Sequence, residues 1–454
     1  MANLPEASDW ARVARDAVAD LQTLLRMKTV NPPGDEGEAI DFLAARLEAA
    51  GIEVTRIDAQ GRPNLVARLR GDGTGGGPLL LTGHVDVVPA EPEHWVCDPF
   101  GGEIRDGYLY GRGAVDMKNM VTMCLHMMLL LKETGAKLTR DVIFAAVADE
   151  EEGCTWGSRY LVEQHPELVR AEHMIGEIGG FSLDVNGVRY YPIQIAEKGI
   201  CQFRLTAHGE PGHGSMPRDA NAVVRLGEAL SRLGKARLSV TPVAAVRQQL
   251  ETLAASQRAP ASLVLPLLLR PAAAGFVLDR VLPDRSLAAT MSALLSNTVS
   301  PTGLEAGFKV NTIPATATAV LDGRVLPGSS SAELLAQVRA VIGEGFTTEI
   351  IREFPGREET TDDPLFRAIC DNVRRHDPAG VPLPYMIPGF TDAQYFGRLG
   401  MRCYGYSPLR FPAEDQVKFS DLFHGHNERI HVEGFQWGLA CLWDLVRRWV
   451  TAPS

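Results

Sequence analysis

The chain has little of what would place it outside a reducing, aqueous compartment. Its seven cysteines, at 97, 124, 154, 201, 370, 403 and 441, are odd in number and without paired spacing. That pattern excludes a disulfide frame and a thiolate metal site, and it fits buried free thiols. Between Met1 and Trp10 there is no basic stretch leading into an apolar one, so no secretory signal is expected. Long hydrophobic runs are missing as well: the most apolar region, Leu263 to Leu278, is broken by Pro266, Arg270 and Pro271 and cannot cross a bilayer as one helix. Positive charge is in deficit, 45 Lys and Arg against 56 Asp and Glu for a net −11, which argues against a nucleic-acid or acidic-membrane partner. The glycine-rich loop Gly71 to Gly77 lacks the Gly-Lys-Ser/Thr ending of a phosphate loop and precedes a strand, so it reads as a flexible hairpin connection. The expectation that remains is a soluble protein of the cytoplasm. With 454 residues, 45% of them hydrophobic, it is long enough for two domains.

What is present begins with helices. Trp10 to Met27 and Glu36 to Ala50 have apolar residues at helical spacing, separated by the turn Asn31-Pro32-Pro33-Gly34. Short alternating strands follow at Val54 to Ile57 and Leu65 to Leu69. Strand and helix then alternate: strand Leu79 to Thr82, helix Met117 to Leu131, strand Asp141 to Ala148, helix Ser158 to Glu163, strand Met174 to Ile175. Alternation of this kind predicts an α/β fold with a largely parallel mixed sheet covered by helices on both faces, and function gathers at the carboxyl ends of such strands. From about residue 197 to 355 the pattern changes to a Gly/Pro-punctuated inserted unit with strands Gln202 to Ala207 and Ala315 to Val325 and a helix Asn221 to Leu233. The expected division is therefore 1–196, 197–355 and 356–454, the first and last forming one discontinuous domain.

The chemistry sits at strand ends. The run Leu79-Leu80-Leu81-Thr82 ends in Gly83-His84-Val85-Asp86, and on extended backbone residues i and i+2 share a face. Asp86 can then hydrogen-bond one ring nitrogen of His84 and leave the other for a metal. Asp116 opens the apolar helix near the same edge. The buried strand Val142 to Ala148 runs straight into Asp149-Glu150-Glu151-Glu152, acids whose repulsion a cation would relieve, and the next strand ends in Glu177. Carboxylate and imidazole ligands without thiolates suit zinc, cobalt or manganese, and a shared carboxylate makes a two-metal site. By contrast, His126, set among Met123, Cys124, Met127 and Met128, reads as a helix-packing residue.

Gly83-His84-Val85-Asp86, Gly111-Arg112-Gly113-Ala114-Val115-Asp116-Met117-Lys118 and Asp149-Glu150-Glu151 resemble the co-catalytic zinc amidohydrolases, which include aminoacylase, carboxypeptidase G, acetylornithine deacetylase and succinyl-diaminopimelate desuccinylase. The likeness continues through Gly212-His213-Gly214-Ser215, Lys309-Val310-Asn311, Asp322-Gly323-Arg324, Gly389-Phe390-Thr391-Asp392 and His424-Gly425-His426-Asn427-Glu428. It implies two divalent ions, zinc first with cobalt or manganese as substitutes, held by His84, Asp116, Glu151, Glu177 and His424 with Asp116 bridging. It also implies a cis peptide after Asp116, Glu150 as general base, Asp86 behind His84, and His213 as the donor to the oxyanion. Arg324, Asn311 and Gly389 would bind substrate, although a structural salt bridge is the other reading of Arg324. The inserted unit would be a lid or dimerisation domain with a long insertion, making a homodimer. The extra Glu152 leaves a second frame open, with Glu151 as base and Glu152 as ligand, and His426 competes with His424. The implied activity is hydrolysis of N-acyl amino acids, with a carboxypeptidase or dipeptidase as the alternative; a metal-free binding or scaffold protein is the reading of another class.

Overall fold

A computed structural model of the chain describes residues 7–452 other than 283, 416 and 418. Four strands form the parallel centre of a large mixed sheet, in the order Val142–Val147, Leu79–His84, His173–Gly176 and Arg402–Gly405. Antiparallel strands flank them: Arg62–Leu69 and then Glu53–Ala59 on one side, Val188–Glu197 on the other. Every residue of Leu79–His84 and of Val142–Val147 is buried, as expected where both faces of a parallel sheet are covered. Leu79–His84 runs two residues past Thr82, so His84 is itself the last residue of its strand. Gly83 is required there, because a Cβ would stand 2.9 Å from Val121 Cγ2 and 3.1 Å from Met117 Cε.

The glycine-rich loop is not a hairpin connection. Val142–Val147 lies between the two strands that the loop joins, Arg62–Leu69 and Leu79–His84. Turn residues mark where the chain can bend, and they do not say which later strand will insert beside it.

The chain divides into two compact units. One comprises the residues up to Ile195, Glu359–Leu383 and those from Thr391 onward; the other comprises Ala196–Glu358 and Pro384–Phe390. Pro384–Phe390, far along the chain, groups with the second unit through Ile387 O, which accepts from Lys198 N, and Met386 N, which donates to Gln249 Oε1. In the second unit a four-stranded antiparallel sheet has the order Thr298–Ala306, Thr316–Val325, Gly199–His208, Phe346–Phe354. The helices Ala222–Lys235 and Ser331–Ile342 pack on it around Phe203, Leu205, Leu226, Leu321 and Leu334. Thr316–Val325 alternates buried and partly exposed residues from Ala317 onward, the period-2 pattern legible in its sequence. Asn221 starts the first of these helices by accepting from the N–H groups of Val223 and Val224, and Ser330 with Glu333 starts the second as a capping box.

In the first unit, the helix Lys118–Glu133 is buried along most of its length and packs on Leu79–His84 and on the helices Ala7–Arg26 and Val432–Val450. Glu133 at its end lies 2.6 Å from Arg12 Nη2, and its buried ionic tie runs through His126, whose Nε2 lies 2.9 Å from Asp20 Oδ2; Arg46 Nη2 lies 2.7 Å from the same oxygen. Asp20 thus joins three helices. Burial works to raise its pKa, but the hydrogen bonds from His126 and Arg46 outweigh burial and hold the carboxyl below its ordinary value. None of the helices among the described residues is long and apolar enough to cross a membrane, and all seven cysteines are free.

A depressed carboxylate stabilises the fold above its unfolded pKa of about 3.9, and that contribution is lost as pH falls through the lower folded value. Asp20→Asn should therefore cost about 1–3 kcal/mol in urea unfolding at pH 7. The gap to the parent should close as the measurement is moved below about pH 4. A gap that does not change with pH would mean that shape, not charge, is what Asp20 supplies.

Candidate metal centre

His84 ends its strand with the ring held from behind. Its Nδ1 lies 3.0 Å from the backbone oxygen of Asp86 and 3.5 Å from Asp86 Oδ1. The nearer partner is thus the carbonyl and not the carboxylate expected from the sequence. The Asp86 carboxylate instead accepts from Asn31 Nδ2 at 2.8 Å and from the N–H groups of Glu150 and Glu151 at 3.2 and 3.1 Å. It fixes the acidic turn that follows Val142–Val147 while still facing the imidazole. Both arrangements leave His84 Nε2 pointing away from the ring's anchor, toward the other acids.

Two groups of ligand atoms meet at one carboxylate. His84, Asp116 and Glu177 form the first, with Nε2 of His84 3.2 Å from Asp116 Oδ1 and 3.7 Å from Glu177 Oε2. Asp116, Glu151 and His424 form the second, with Nε2 of His424 3.3 Å from Asp116 Oδ2 and 3.0 Å from Glu151 Oε2. Within each group the atoms lie within 4.8 Å of one another. The peptide Asp116–Met117 is cis. Glu152 is exposed and belongs to neither group. His426 also lies apart, with Nε2 3.5 Å from Glu91 Oε2 and its ring 4.9 Å from that of His94. Glu150 is buried, next to Glu151 but outside both groups.

The electrostatics ask for positive charge. Burial, reinforced by Asp116 and Asp392, pushes Glu177 up to about 8, and burial with the Glu177 charge holds Glu150 well above the usual carboxylate range. Asp116 goes the other way: despite burial, hydrogen bonds from His424 and His84 hold it well below. Hydrogen bonds to Asp116 and Glu151 lift His424 to about 10. The buried Glu177 Oε1 has no hydrogen-bond partner among the described residues. An orphaned carboxylate oxygen inside a His/carboxylate cluster fits a divalent cation, and the absence of thiolate fits zinc, cobalt or manganese.

The other expected site residues lie in the second unit. His213 is exposed on the short strand Gly212–His213, which pairs with Thr312–Ile313, and Gly214 N donates to Asn311 O at 2.8 Å, so His213 and Asn311 are neighbours. Ser215 N donates to His213 Nδ1 at 3.2 Å, and Ser215 Oγ is 2.8 Å from the same nitrogen. With Nδ1 accepting, the neutral ring carries its proton on Nε2. Arg324 is engaged by Asp322, at 2.6 Å through Nε and 3.1 Å through Nη2, and its guanidinium carbon is 6.0 Å from the centre of the Phe390 ring. Gly389 precedes that ring, with open space where a Cβ would stand.

Residues that sequence reasoning passed over hold the site from behind. Asn31, taken only as part of a turn, donates to Asp86 and, at 3.1 Å, to Asp149. Asp149, at φ 64°, also accepts from Arg62 Nη1 and Trp156 N, and Arg62 is paired with Glu36. Asp392 lies buried, 2.5 Å from Ser158 Oγ, and burial raises its pKa to about 6. Asp392 carries a sequence signal, as the last residue of Gly389-Phe390-Thr391-Asp392; Asn31, Arg62 and Glu36 carry none of their own.

Fold and site together define a metallohydrolase, with paired ligand groups at the carboxyl ends of parallel strands. Residues 80–448 match the model of the peptidase family M20/M25/M40, and the chain belongs to that family. It is a metal-dependent hydrolase of amide or peptide bonds, which leaves no room for the metal-free scaffold. The chain is 31% identical over 371 residues to the N-fatty-acyl-amino acid synthase/hydrolase PM20D1 of Xenopus tropicalis, covering 79% of this chain and 70% of that one. It is 27% identical over 441 residues to aminoacylase-1 of Sus scrofa, covering 95% and 94%. Among solved structures, an M20 family metallo-carboxypeptidase from Sulfolobus solfataricus superposes with a TM-score of 0.72 at 17% identity, over 96% of this chain and 99% of that one. Human carnosine dipeptidase 1 does so with a TM-score of 0.66 at 17% identity, over 97% of each chain.

Metal content distinguishes the two glutamate frames. Purified protein loaded with zinc and dialysed should hold two ions per chain, Glu151→Gln should hold fewer, and Glu152→Gln should match the parent by elemental analysis. Metal loss in Glu152→Gln with none in Glu151→Gln would reverse the frame.

Proposed function

We propose that the chain is an N-acyl-amino-acid amidohydrolase that uses two divalent ions, zinc first and cobalt or manganese in its place. The observation that carries the reading is the sharing of Asp116 between two ligand groups, with the buried Glu150 beside them. The substrate class is supported by the relatives, named for aminoacylase and for N-fatty-acyl amino acids, which align over most of this chain. When bound, the ions lower the pKa of a water and polarise the amide carbonyl.

The residues of the chain do the rest. Glu150 takes a proton from the attacking water as its oxygen bonds to the amide carbon. It returns that proton to the amine nitrogen as the carbon–nitrogen bond breaks, giving a carboxylate and an amino acid. A carboxylate kept above its ordinary pKa by burial is suited to carrying a proton between these two steps. His213, with its proton on Nε2, is the donor to the oxyanion. Arg324 takes the substrate carboxylate, with open space at Gly389 next to the Phe390 ring that it faces, and Asn311, beyond the opposite end of Thr316–Val325 and beside His213, joins that histidine in holding the substrate. The second unit is the lid and the contact of a homodimer. Seven free thiols, six of them buried, support a reducing compartment such as the cytoplasm.

A screen of N-acyl amino acids against dipeptides, after metal removal and metal replacement, tests the substrate class. Acyl amino acids should be the faster group, and chelation should abolish turnover in a way that added metal restores. Glu150→Gln should keep both ions while kcat falls by about two to four orders of magnitude. Dipeptides as the faster group would move the enzyme to the peptidase alternative, and an active Glu150→Gln would remove the base from this scheme.

His213→Ala should lower kcat by about two orders of magnitude and leave metal content unchanged. If the histidine acts across a dimer, mixing His213→Ala with Asp116→Ala should restore part of the lost rate. A monomeric, fully active parent enzyme would exclude that version.

A further inference from the structure

Beyond the ligands, one buried side chain connects the two segments that carry Asp116 and His424. Glu428 lies four residues past His424 in the chain and is completely buried. Its carboxylate meets only donors. Oε1 accepts from the N–H groups of Val115 at 2.8 Å and Asp116 at 3.2 Å; Oε2 accepts from Gly113 N–H at 3.1 Å and from Arg112 Nη1 at 2.8 Å. Its backbone oxygen accepts a further bond, from Gly111 N–H at 3.0 Å. Beyond it the segment continues as a strand, Arg429–His431, pairing antiparallel with Tyr108–Tyr110. The stretch leading into Asp116 is thus joined residue by residue to the stretch leading out of His424.

The arrangement is too specific for a salt bridge that merely fills space. Arg112 alone would neutralise the charge, and it is also held by Pro89 O and lies over the Trp95 ring. The three backbone donors come from one loop, which turns through Gly113 at φ 91° and ends at the shared aspartate. Fixing the N–H of Asp116 fixes the root of the side chain whose two oxygens face His84 and His424.

We propose that Glu428 is a positioning residue: by clamping the loop 111–116 with its carboxylate it sets Asp116 between the two imidazoles and ties the His424 segment to the same frame. The inference rests on the reading of the site as a metal centre. It goes beyond that reading in assigning the order of the centre to a residue that touches neither substrate nor ion.

The test uses full-length enzyme stripped with chelator and titrated with Zn²⁺ alone, with binding measured by equilibrium dialysis. Glu428→Gln has the same shape, but its amide NH2 must face at least one pair of donors. Its zinc affinity should fall about 10–100-fold, the usual scale for losing a group that orients a ligand. Activity at saturating zinc should return toward the parent value with KM unchanged. Glu428→Asp keeps the charge, draws it back from the loop, and should fall between the two. His426→Ala, in the same segment but outside the clamp, should bind zinc as the parent does. If the parent binds no zinc, the metal-centre reading fails and takes this proposal with it. If the parent binds two ions and a folded Glu428→Gln binds them with equal affinity, the clamp alone is refuted. Lost turnover at normal zinc occupancy would also overturn it, by placing Glu428 in the reaction itself. Should Glu428→Gln not fold, Glu428→Asp decides; if both fail to fold, Glu428 is a folding residue and the proposal falls.

Discussion

Everything in the first unit answers one electrostatic problem, that of holding Asp116, Glu150, Glu151 and Glu177 in one place with little water around them. Carboxylates so placed repel one another and lose hydration, and the raised pKa values of Glu150 and Glu177 record that cost. Asp116 escapes it because two imidazoles face its two oxygens. The parallel strands supply the placement: His84 ends one strand, and the turn 149–152 and Glu177 follow the ends of the two strands on either side of it. Divalent cations would meet the same demand for positive charge that the imidazoles meet, one in each ligand group.

The backing of the site is as charged as its face. Asp149, Arg62 and Glu36 form a largely buried chain of alternating sign, and Asn31 joins Asp149 to Asp86 at its end. Buried polar groups of this kind tolerate few arrangements, because each donor left without its acceptor is expensive. Their arrangement gives Glu150 and Glu151 backbone N–H groups anchored on a single carboxylate. Two adjacent glutamates can then diverge, one beside the histidine and one apart.

How much of this was legible depended on whether the signal was local. His84 and Asp116 could be picked out because each terminates an apolar element, and the alternation in Thr316–Val325 is written in its sequence. The acidic run offers two frames that residue types alone do not separate; in the structure the turn puts Glu151 with Asp116 and His424 and leaves Glu152 exposed. The partner of His84 Nδ1 turned out to be a carbonyl, a group that every residue carries and that no pattern marks. Asn31 and Asp86, or Arg62 and Asp149, meet only because the sheet brings distant segments together. The same holds for the loop at Gly71–Gly77, whose flanking strands are parted by a strand that comes much later in the chain.

The discontinuity of the first unit also governs the order in which the protein can be made. Its central sheet needs Arg402–Gly405, and its helix Lys118–Glu133 needs the cover of Val432–Val450, so on the ribosome the early strands must wait for nearly the whole chain to emerge. The second unit, almost contiguous from Ala196 to Glu358, lacks only a short later segment. Domains fold as units during synthesis, and here the later-starting one has its whole sheet available first, while the apolar strands Leu79–His84 and Val142–Val147 still await the strand Arg402–Gly405 that completes theirs.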